Sequence, residues 1–556
     1  MRLSLTPPYL FLAERHPWLA FRPVLRVETL TFLFCAYFAL MCNGAFWRDA
    51  LAGRSALAPD TWLFAVLVAV GIAALHAFVL LVVLNRWTVK PLLAVLIVTT
   101  GMATYFSQHY QVYFDTSMVR NVMRTDVREA SDLLTPDLLI HLLLLAGPPL
   151  GLLWRVDILS QPLFRAVWQR LCWMIGAALI AVAAILLVFQ DFSALMRNQK
   201  ALRHMIAPGN FIVSTIKVLA AESARPEGPK TPVGLDAKPG RSWKNRTKPA
   251  VLVVVVGETV RAANWGLNGY SRQTTPELAK HGVYNFSNVT SCGTNTEVSV
   301  PCLFSPFGRH DYDEDKIRQY ESLLHVFQHA NINVIWRDNQ SGCKGVCSNI
   351  ETEQLNREKD AALCDDEGCL DDILLKGLDQ RIQATQGSLV VVLHQLGNHG
   401  PAYFKRYPAS QKIYQPACDT VELGRCSHGQ IVNSYDNAIR YTDHFLAKTI
   451  DVLAAQSSHD AALVYVSDHG ESLGESGVFL HGLPRAIAPS EQTHVPMVMW
   501  LSSAYTRSFG LDASCLRAQQ HKPLTHDNLF HTLLGMLDIQ TAVYERGYDL
   551  AVQCRR

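Results

Sequence analysis

Five apolar stretches fall within the first 190 residues, at about 25–46, 61–84, 91–107, 137–154 and 171–190. Each is close to the ~17–25 residues that a helix needs to cross the hydrocarbon core of a bilayer. Such a chain folds its first third in lipid. The first stretch follows a polar segment, LAERHPWLAFRP, with no small-residue cleavage site in the right place, so it reads as a retained anchor. Basic residues in the short connections set the orientation. Arg2, Arg15, Arg22 and Arg26 precede the first stretch, Arg86 and Lys90 follow the second, and Arg155, Arg165 and Arg170 separate the fourth from the fifth. The opposite connections hold Arg48, Arg54, Arg120, Arg124 and Arg128, a moderate bias that puts the first set inside. Five crossings that begin inside end outside.

Beyond the fifth stretch the chain changes character. Residues 222–248, ending in ESARPEGPKTPVGLDAKPGRSWKNRTKPA, are rich in Pro, Gly and Lys, as an exposed linker is. The expected division is a membrane domain over 1–190, a bridging helix and linker over 191–248, and a folded domain over 249–556. Lys plus Arg number 50 against 48 Asp plus Glu, so no basic stripe marks a nucleic-acid binder. Of 13 cysteines, Cys35, Cys42 and Cys172 lie in apolar stretches and the rest lie beyond residue 290. That even remainder, with its short local spacings, suggests disulfides in an oxidising compartment; reduced or zinc-ribbon cysteines are the alternative. Topology and cysteine usage agree on the outer side.

The run VLVVVVGE is continuous in β-branched residues and ends at glycine, as a fully buried strand of a parallel sheet does. Similar runs recur at 332–336, 388–395, 461–470 and 495–500, separated by helix-length segments, which predicts an α/β domain with a largely parallel sheet. Ligands of such sheets gather at the carboxyl ends of the strands. Those positions hold Glu258, His394, His399, Asp468 and His469. Mixed nitrogen and oxygen ligands suit zinc, and the conjunction is stronger than any one residue. The segment SCGTNTEVSVPC adds hydroxyls between Cys292 and Cys302, where a local disulfide would stiffen the loop. A threonine at the metal could act as an alkoxide near neutral pH, and Thr294 and Thr296 are the candidates.

The motifs VVVVGETVRAANWGLNGYSRQTTPEL, SCGTNTEVSVPCLFSPFGR, WRDNQSGCKGVC, LHQLGNHGPAYFKRYP and SDHGESLGESGVFLHGLP make the chain resemble the lipid A phosphoethanolamine transferases, including the transferable colistin-resistance enzymes. These belong to the alkaline phosphatase and sulfatase superfamily. The resemblance covers nearly the whole chain and implies five spans in a bacterial inner membrane, a periplasmic alkaline-phosphatase-like domain, and action as a monomer. It implies zinc, one ion with room for a second, held by Glu258, Thr296, Asp468 and His469. It makes Thr296, the second threonine of CGTNT, the nucleophile, with His399 and His481 lining the phosphate site as acid and base. Lys344 of CKGVC then matches a substrate-phosphate or ethanolamine-pocket residue. One departure is visible: the colistin-resistance enzymes have two asparagines where this chain has Asn339 and Gln340.

The implied reaction is ping-pong. Zinc-activated Thr296 attacks the phosphorus of phosphatidylethanolamine, diacylglycerol leaves, and a phosphate of lipid A then takes the phosphoethanolamine from the threonine. In SMVRNVMRTDVREA, Asn121, Thr125 and Glu129 are spaced i, i+4, i+8, which puts them on one helix face, and the resemblance brings that face to the donor headgroup. The competing reading is an interfacial helix with Met118 and Val122 toward lipid. Proximity pairs Cys343 with Cys347, Cys364 with Cys369 and Cys418 with Cys426, leaving Cys515 for Cys554. His494, His76 and His141 read as structural, and Glu471 as a support for the metal site. Rival functions are a superfamily phosphodiesterase using water, transfer to a lipopolysaccharide core sugar, and a metal-stabilised membrane receptor without turnover. A sulfatase would need a C-x-P-S-R type sequence, which CGTNTEVSVPC lacks.

Overall fold

A computed structural model describes residues 22–125, 127–223, 228–244, 246–365 and 368–555, without the side chains of 127–129 and 200. Arg2 and Arg15, two of the basic residues that set the orientation, lie outside the described residues, as do the side chains of Arg128 and Glu129. The N-terminal part is helical: α1 (Val27–Met41), α2 (Gly44–Ala50), α3 (Pro59–Val83), α4 (Val89–His109), α5 (Thr116–Arg124), α6 (Val127–Asp132), α7 (Pro136–Leu145), α8 (Gly147–Arg155) and α9 (Leu163–Leu187). By packing, the described residues up to His109 join Pro136–Ser214 in one unit, and Tyr110–Thr135 joins Thr215–Arg556 in a second.

In the first unit α3, α4 and α9 are each long and apolar enough to cross a membrane. The count rises to five if α1 with α2 and α7 with α8, bent by 57° and 41°, are each one span. The first bend has a polar cause. Asn43, 2% exposed, donates from Nδ2 to the carbonyls of Phe38 and Ala207 at 2.8 Å and accepts the Ala207 N–H at 2.8 Å, so a buried amide replaces helix bonds at the break. The second falls at Gly147 and Pro148, where proline removes a donor.

The second unit is built on an eight-stranded sheet: β1 (Ala250–Gly257), β2 (Tyr284–Thr290), β3 (Asn333–Asp338), β4 (Glu351–Gln354), β5 (Leu389–His394), β6 (Asp460–Ser467), β7 (His494–Leu501) and β8 (Leu524–Thr525), in the order β8-β2-β7-β6-β1-β5-β3-β4. The centre, β6-β1-β5-β3, is parallel. β7 runs antiparallel to both of its neighbours, so the sheet is mixed. β1, β5 and β6 are buried at every residue, which is why they read as unbroken apolar runs. Helices α10 (Thr296–Leu303), α11 (His428–Ala454) and α12 (Asp527–Met536) belong to this unit. Val300, Leu303, Phe530 and Leu533 join the core that contains Val254, Val464 and Trp336. Disulfides join Cys292 to Cys302, Cys343 to Cys347, Cys364 to Cys369, Cys418 to Cys426 and Cys515 to Cys554.

α5 ends where one continuous helix was expected. Thr125 takes extended backbone (φ −62°, ψ 135°) and its hydroxyl folds back to the Asn121 carbonyl at 2.7 Å, so the helix stops at Arg124 before α6 begins. Asn121, Thr125 and Glu129 therefore do not share a face of a single helix. A threonine that can satisfy the last turn with its own side chain has no need to continue it. Met118 packs its methyl where a side chain on Gly482 would stand, and Gly482 has φ +89°, so the site-side loop can adopt that turn only without a Cβ.

Candidate active site

The central strands deliver their last residues to one point. Glu258 follows β1, and Asp468 and His469 follow β6; all three are fully buried. One ligand atom from each lies within 4.8 Å of the others. His469 Nε2 stands 3.3 Å from Glu258 Oε1 and 3.4 Å from Asp468 Oδ2. Thr296, first residue of α10 and 5% exposed, places Oγ1 3.2 and 3.1 Å from the two Glu258 oxygens and 3.4 Å from His469 Nε2. Asn295 caps that helix by accepting the Val298 N–H at 3.1 Å, which fixes the first-turn threonine. The other candidate, Thr294, spends its hydroxyl on the Leu483 carbonyl at 2.7 Å.

The electrostatics are those of a cation site. Burial, reinforced by the Glu258 charge, raises the Asp468 carboxyl to about 7. Against its own burial, the charges of Asp468 and Glu258 push the His469 imidazole up to about 10. Against burial again, the bond and charge of His469 hold the Glu258 carboxyl well below its ordinary range. Two buried carboxylates are thus crowded against one imidazole. Asp468 Oδ2 is buried and accepts no hydrogen bond among the described residues, an orphaned acceptor that a cation would satisfy. His469 Nδ1 lies 2.9 Å from the Gly470 carbonyl, which leaves Nε2 as the ligand atom. Glu258, Asp468, His469 and the Thr296 hydroxyl fit the mixed nitrogen and oxygen set that zinc prefers.

A second set of residues holds the first. The Thr259 hydroxyl donates to Glu258 Oε1 at 2.7 Å and its N–H to Asp468 Oδ1 at 3.1 Å. Thr259 has φ 63°, a strained conformation for a β-branched residue. Gln340 donates from Nε2 to Glu258 Oε2 at 3.0 Å. Gly397 approaches so closely that a Cβ would stand 2.7 Å from the Glu258 carbonyl. The His481 ring lies tilted 4.4 Å from that of His469 and edge-on 5.6 Å from that of His399. Its Nδ1 lies 3.2 Å from Glu471 Oε1, whose other oxygen accepts the Tyr403 hydroxyl at 2.9 Å. Burial, with the His469 charge, lowers His481 to about 3, and burial raises Glu471 to about 8. Arg406 donates to the His399 carbonyl at 2.8 Å.

Other candidate residues fall elsewhere. His394 pairs with Asp338 at 2.7 Å, away from the cluster. His494 contacts the Ser287 carbonyl at 2.9 Å. Lys344 donates to the Ser341 hydroxyl at 2.6 Å and lines a separate cavity of about 160 Å³. Gln340, by contrast, sits between Glu258 and a larger cavity of about 500 Å³ that Asn356, Lys405, Arg406 and Tyr407 also line. Sequence reasoning missed Thr259, Tyr403 and the contact of Gln340. Only the last had a signal, its departure from the colistin-resistance pattern. It missed Glu297 too: beside Thr296 and 1% exposed, it ion-pairs with Arg124 of α5 and with Arg318, the latter at 2.9 Å.

A buried acidic and histidine cluster with a threonine hydroxyl, set at the carboxyl ends of a mixed sheet, defines a domain of the alkaline phosphatase and sulfatase superfamily, and residues 250–539 match the family model described as Sulfatase. Residues 72–223 match that described as Phosphoethanolamine transferase EptA/EptB. The chain belongs to the phosphoethanolamine transferase family of the EptA type. It is 37% identical to "Phosphoethanolamine transferase EptA" of Escherichia coli (strain K12), over 96% of this chain and 98% of that protein. It is 35% identical to "Phosphatidylethanolamine transferase Mcr-2" of Escherichia coli, over 95% and 98%. Among solved structures it is similar to the integral membrane lipooligosaccharide phosphoethanolamine transferase A (EptA) from Neisseria meningitidis, with a TM-score of 0.90, 36% identity and coverage of 96% of this chain and 100% of that one.

Proposed function

We propose that this enzyme moves phosphoethanolamine from phosphatidylethanolamine to a phosphate of lipid A through a covalent ester on Thr296. The observation that carries the reading is the Thr296 hydroxyl, 3.1–3.4 Å from Glu258 and His469 in a buried cluster. Zinc, when held by Glu258, Asp468, His469 and the threonine, supplies Lewis acidity and lowers the pKa of a hydroxyl. Glu258 and His469 orient Thr296 Oγ1. A bond forms from that oxygen to phosphorus as the bond to the diacylglycerol oxygen breaks. His399 or His481 takes the Thr296 proton and passes it to the leaving oxygen; in the second half the same histidine takes the proton of the attacking lipid A phosphate and passes it to Thr296 Oγ1 as the bond from that oxygen to phosphorus breaks. Glu471 holds the His481 ring through Nδ1.

The membrane part has a reason in this scheme, since donor and acceptor are both lipids. We place five spans in a bacterial inner membrane and the second unit in the periplasm, where disulfides persist. The relative named for phosphatidylethanolamine and the one named for lipooligosaccharide support donor and acceptor class. An added ethanolamine cation would reduce surface charge and weaken the binding of polymyxins. Mass spectrometry of lipid A from cells expressing wild type or Thr296→Ala tests it: the modification is expected with the wild type alone, and its absence in both removes the acceptor. The match to the Sulfatase model favours a second reading, hydrolysis by water, which labelled donor with and without lipid A separates.

A further inference from the structure

The turn that follows β1 works against its own residue type. Thr259 holds a φ of 63°, which a β-branched side chain disfavours, yet from that conformation its hydroxyl and its N–H reach two different residues of the cluster, Glu258 and Asp468. Backbone so strained persists only where its surroundings hold it. The Val260 N–H donates to the Ser467 hydroxyl at 2.8 Å. The backbone groups on either side of it go to a single atom, the hydroxyl oxygen of Tyr435, which donates to the Thr259 carbonyl at 2.7 Å and accepts the Arg261 N–H at 2.9 Å.

Tyr435 lies about two turns into α11 and is fully buried. Ile431, Ala438 and Ile439, at helical spacing around it, are buried too, so a long packed helix aims the hydroxyl. Its ring meets that of Tyr403 edge-on at 5.4 Å. The same residue braces Glu258 from the other side: its carbonyl accepts Asn398 Nδ2 at 3.3 Å, and the Asn398 N–H donates to the Glu258 carbonyl at 3.0 Å. Among the described residues Tyr435 makes no hydrogen bond to either carboxylate, so it can act on them only through the turn. We infer that Tyr435 is a positioning residue for zinc: its hydroxyl clamps the Thr259 turn and thereby sets how the Glu258 and Asp468 carboxylates face one ion. The inference rests on zinc being held by that cluster.

The test titrates zinc from the full-length protein in detergent with a chelator of known affinity, and records the thermal midpoint of each metal-free protein beside it. Tyr435→Phe, which removes one oxygen and keeps the ring, is expected to weaken zinc binding about tenfold, the lower end of what losing an outer partner of a metal ligand costs. In a Thr259→Gly background, where glycine takes the positive φ freely and the hydroxyl on Glu258 is already gone, the same change should alter zinc affinity by less than about twofold. An unchanged zinc affinity in Tyr435→Phe, even with a lower metal-free midpoint, overturns the proposal, because that is the mark of a role in the fold alone. So does a loss that persists undiminished in the Thr259→Gly background, which would route the effect past the turn. Should Tyr435→Phe fold only with zinc bound, the chelator activity at which it unfolds gives the same comparison. Zinc held equally well by Asp468→Asn sinks the metal reading and the positioning role with it; zinc weakened by Asp468→Asn but not by Tyr435→Phe sinks the role alone.

Discussion

The Gln340 side chain is long enough to bring Nε2 to Glu258 Oε2 at 3.0 Å. Removing a partner that orients a metal-ligating carboxylate lowers metal affinity by ~10–100-fold. Gln340→Ala is accordingly expected to release zinc to a competing chelator at about that much lower chelator activity, with Thr296 unaltered. His526 offers a pH test. It accepts the Cys292 N–H at 3.1 Å, has Nε2 3.1 Å from the Ser467 carbonyl, and is lowered by burial to about 3. The folded protein therefore binds fewer protons than the unfolded chain between about 3 and the ordinary histidine value of about 6.5. The stabilising contribution of neutral His526 is complete above that window and is lost as pH falls through it. Urea unfolding at pH 7 and pH 5 should show His526→Gln reducing the slope by up to ~1.4 kcal/mol per pH unit.

At the scale of elements, the hinge of the site is the loop from Cys292 to α10. The disulfide closing it spans 10 residues of sequence, and loops of that order contribute ~3 kcal/mol. The double variant Cys292→Ser, Cys302→Ser should lower the thermal midpoint and, because Thr296 lies inside the loop, also lower kcat. The buried parallel strands were readable because burial on both faces leaves an unbroken apolar run. β2 (YNFSNVT) was not, since only Tyr284, Phe286 and Val289 are buried and polar residues intervene. Nor could period alone reveal that β7 runs antiparallel, because an apolar run has no direction until its partners are known. Of the site, Glu258, Asp468 and His469 announce themselves by following strands. Thr259 does not, because its role depends on a positive φ that nothing in a threonine signals. The break at Thr125 escaped for a related reason, being decided by one hydroxyl.

For the whole molecule, metal and fold should be linked. A ligand that binds only the native state at 100 times its Kd adds ~2.7 kcal/mol, so stripping zinc by chelation is expected to abolish transfer and lower the unfolding midpoint, and zinc to restore both. An activity that survives exhaustive chelation would separate the threonine from the metal. Glu297→Gln tests the coupling of α5 to the nucleophile helix. Breaking one side of a buried ion pair costs ~3–5 kcal/mol, so the full-length variant should unfold earlier and turn over more slowly.

That coupling bears on how such an enzyme can be studied. The second unit is assembled from two separate parts of the chain, and the earlier part, Tyr110–Thr135, lies between helices that are apolar enough for lipid. A truncated, water-soluble version beginning at the linker discards Arg120 and Arg124, leaving Glu297 with Arg318 alone and Met118 missing from beside Gly482. Crystallising or screening inhibitors against that fragment would sample a catalytic pocket with one wall removed.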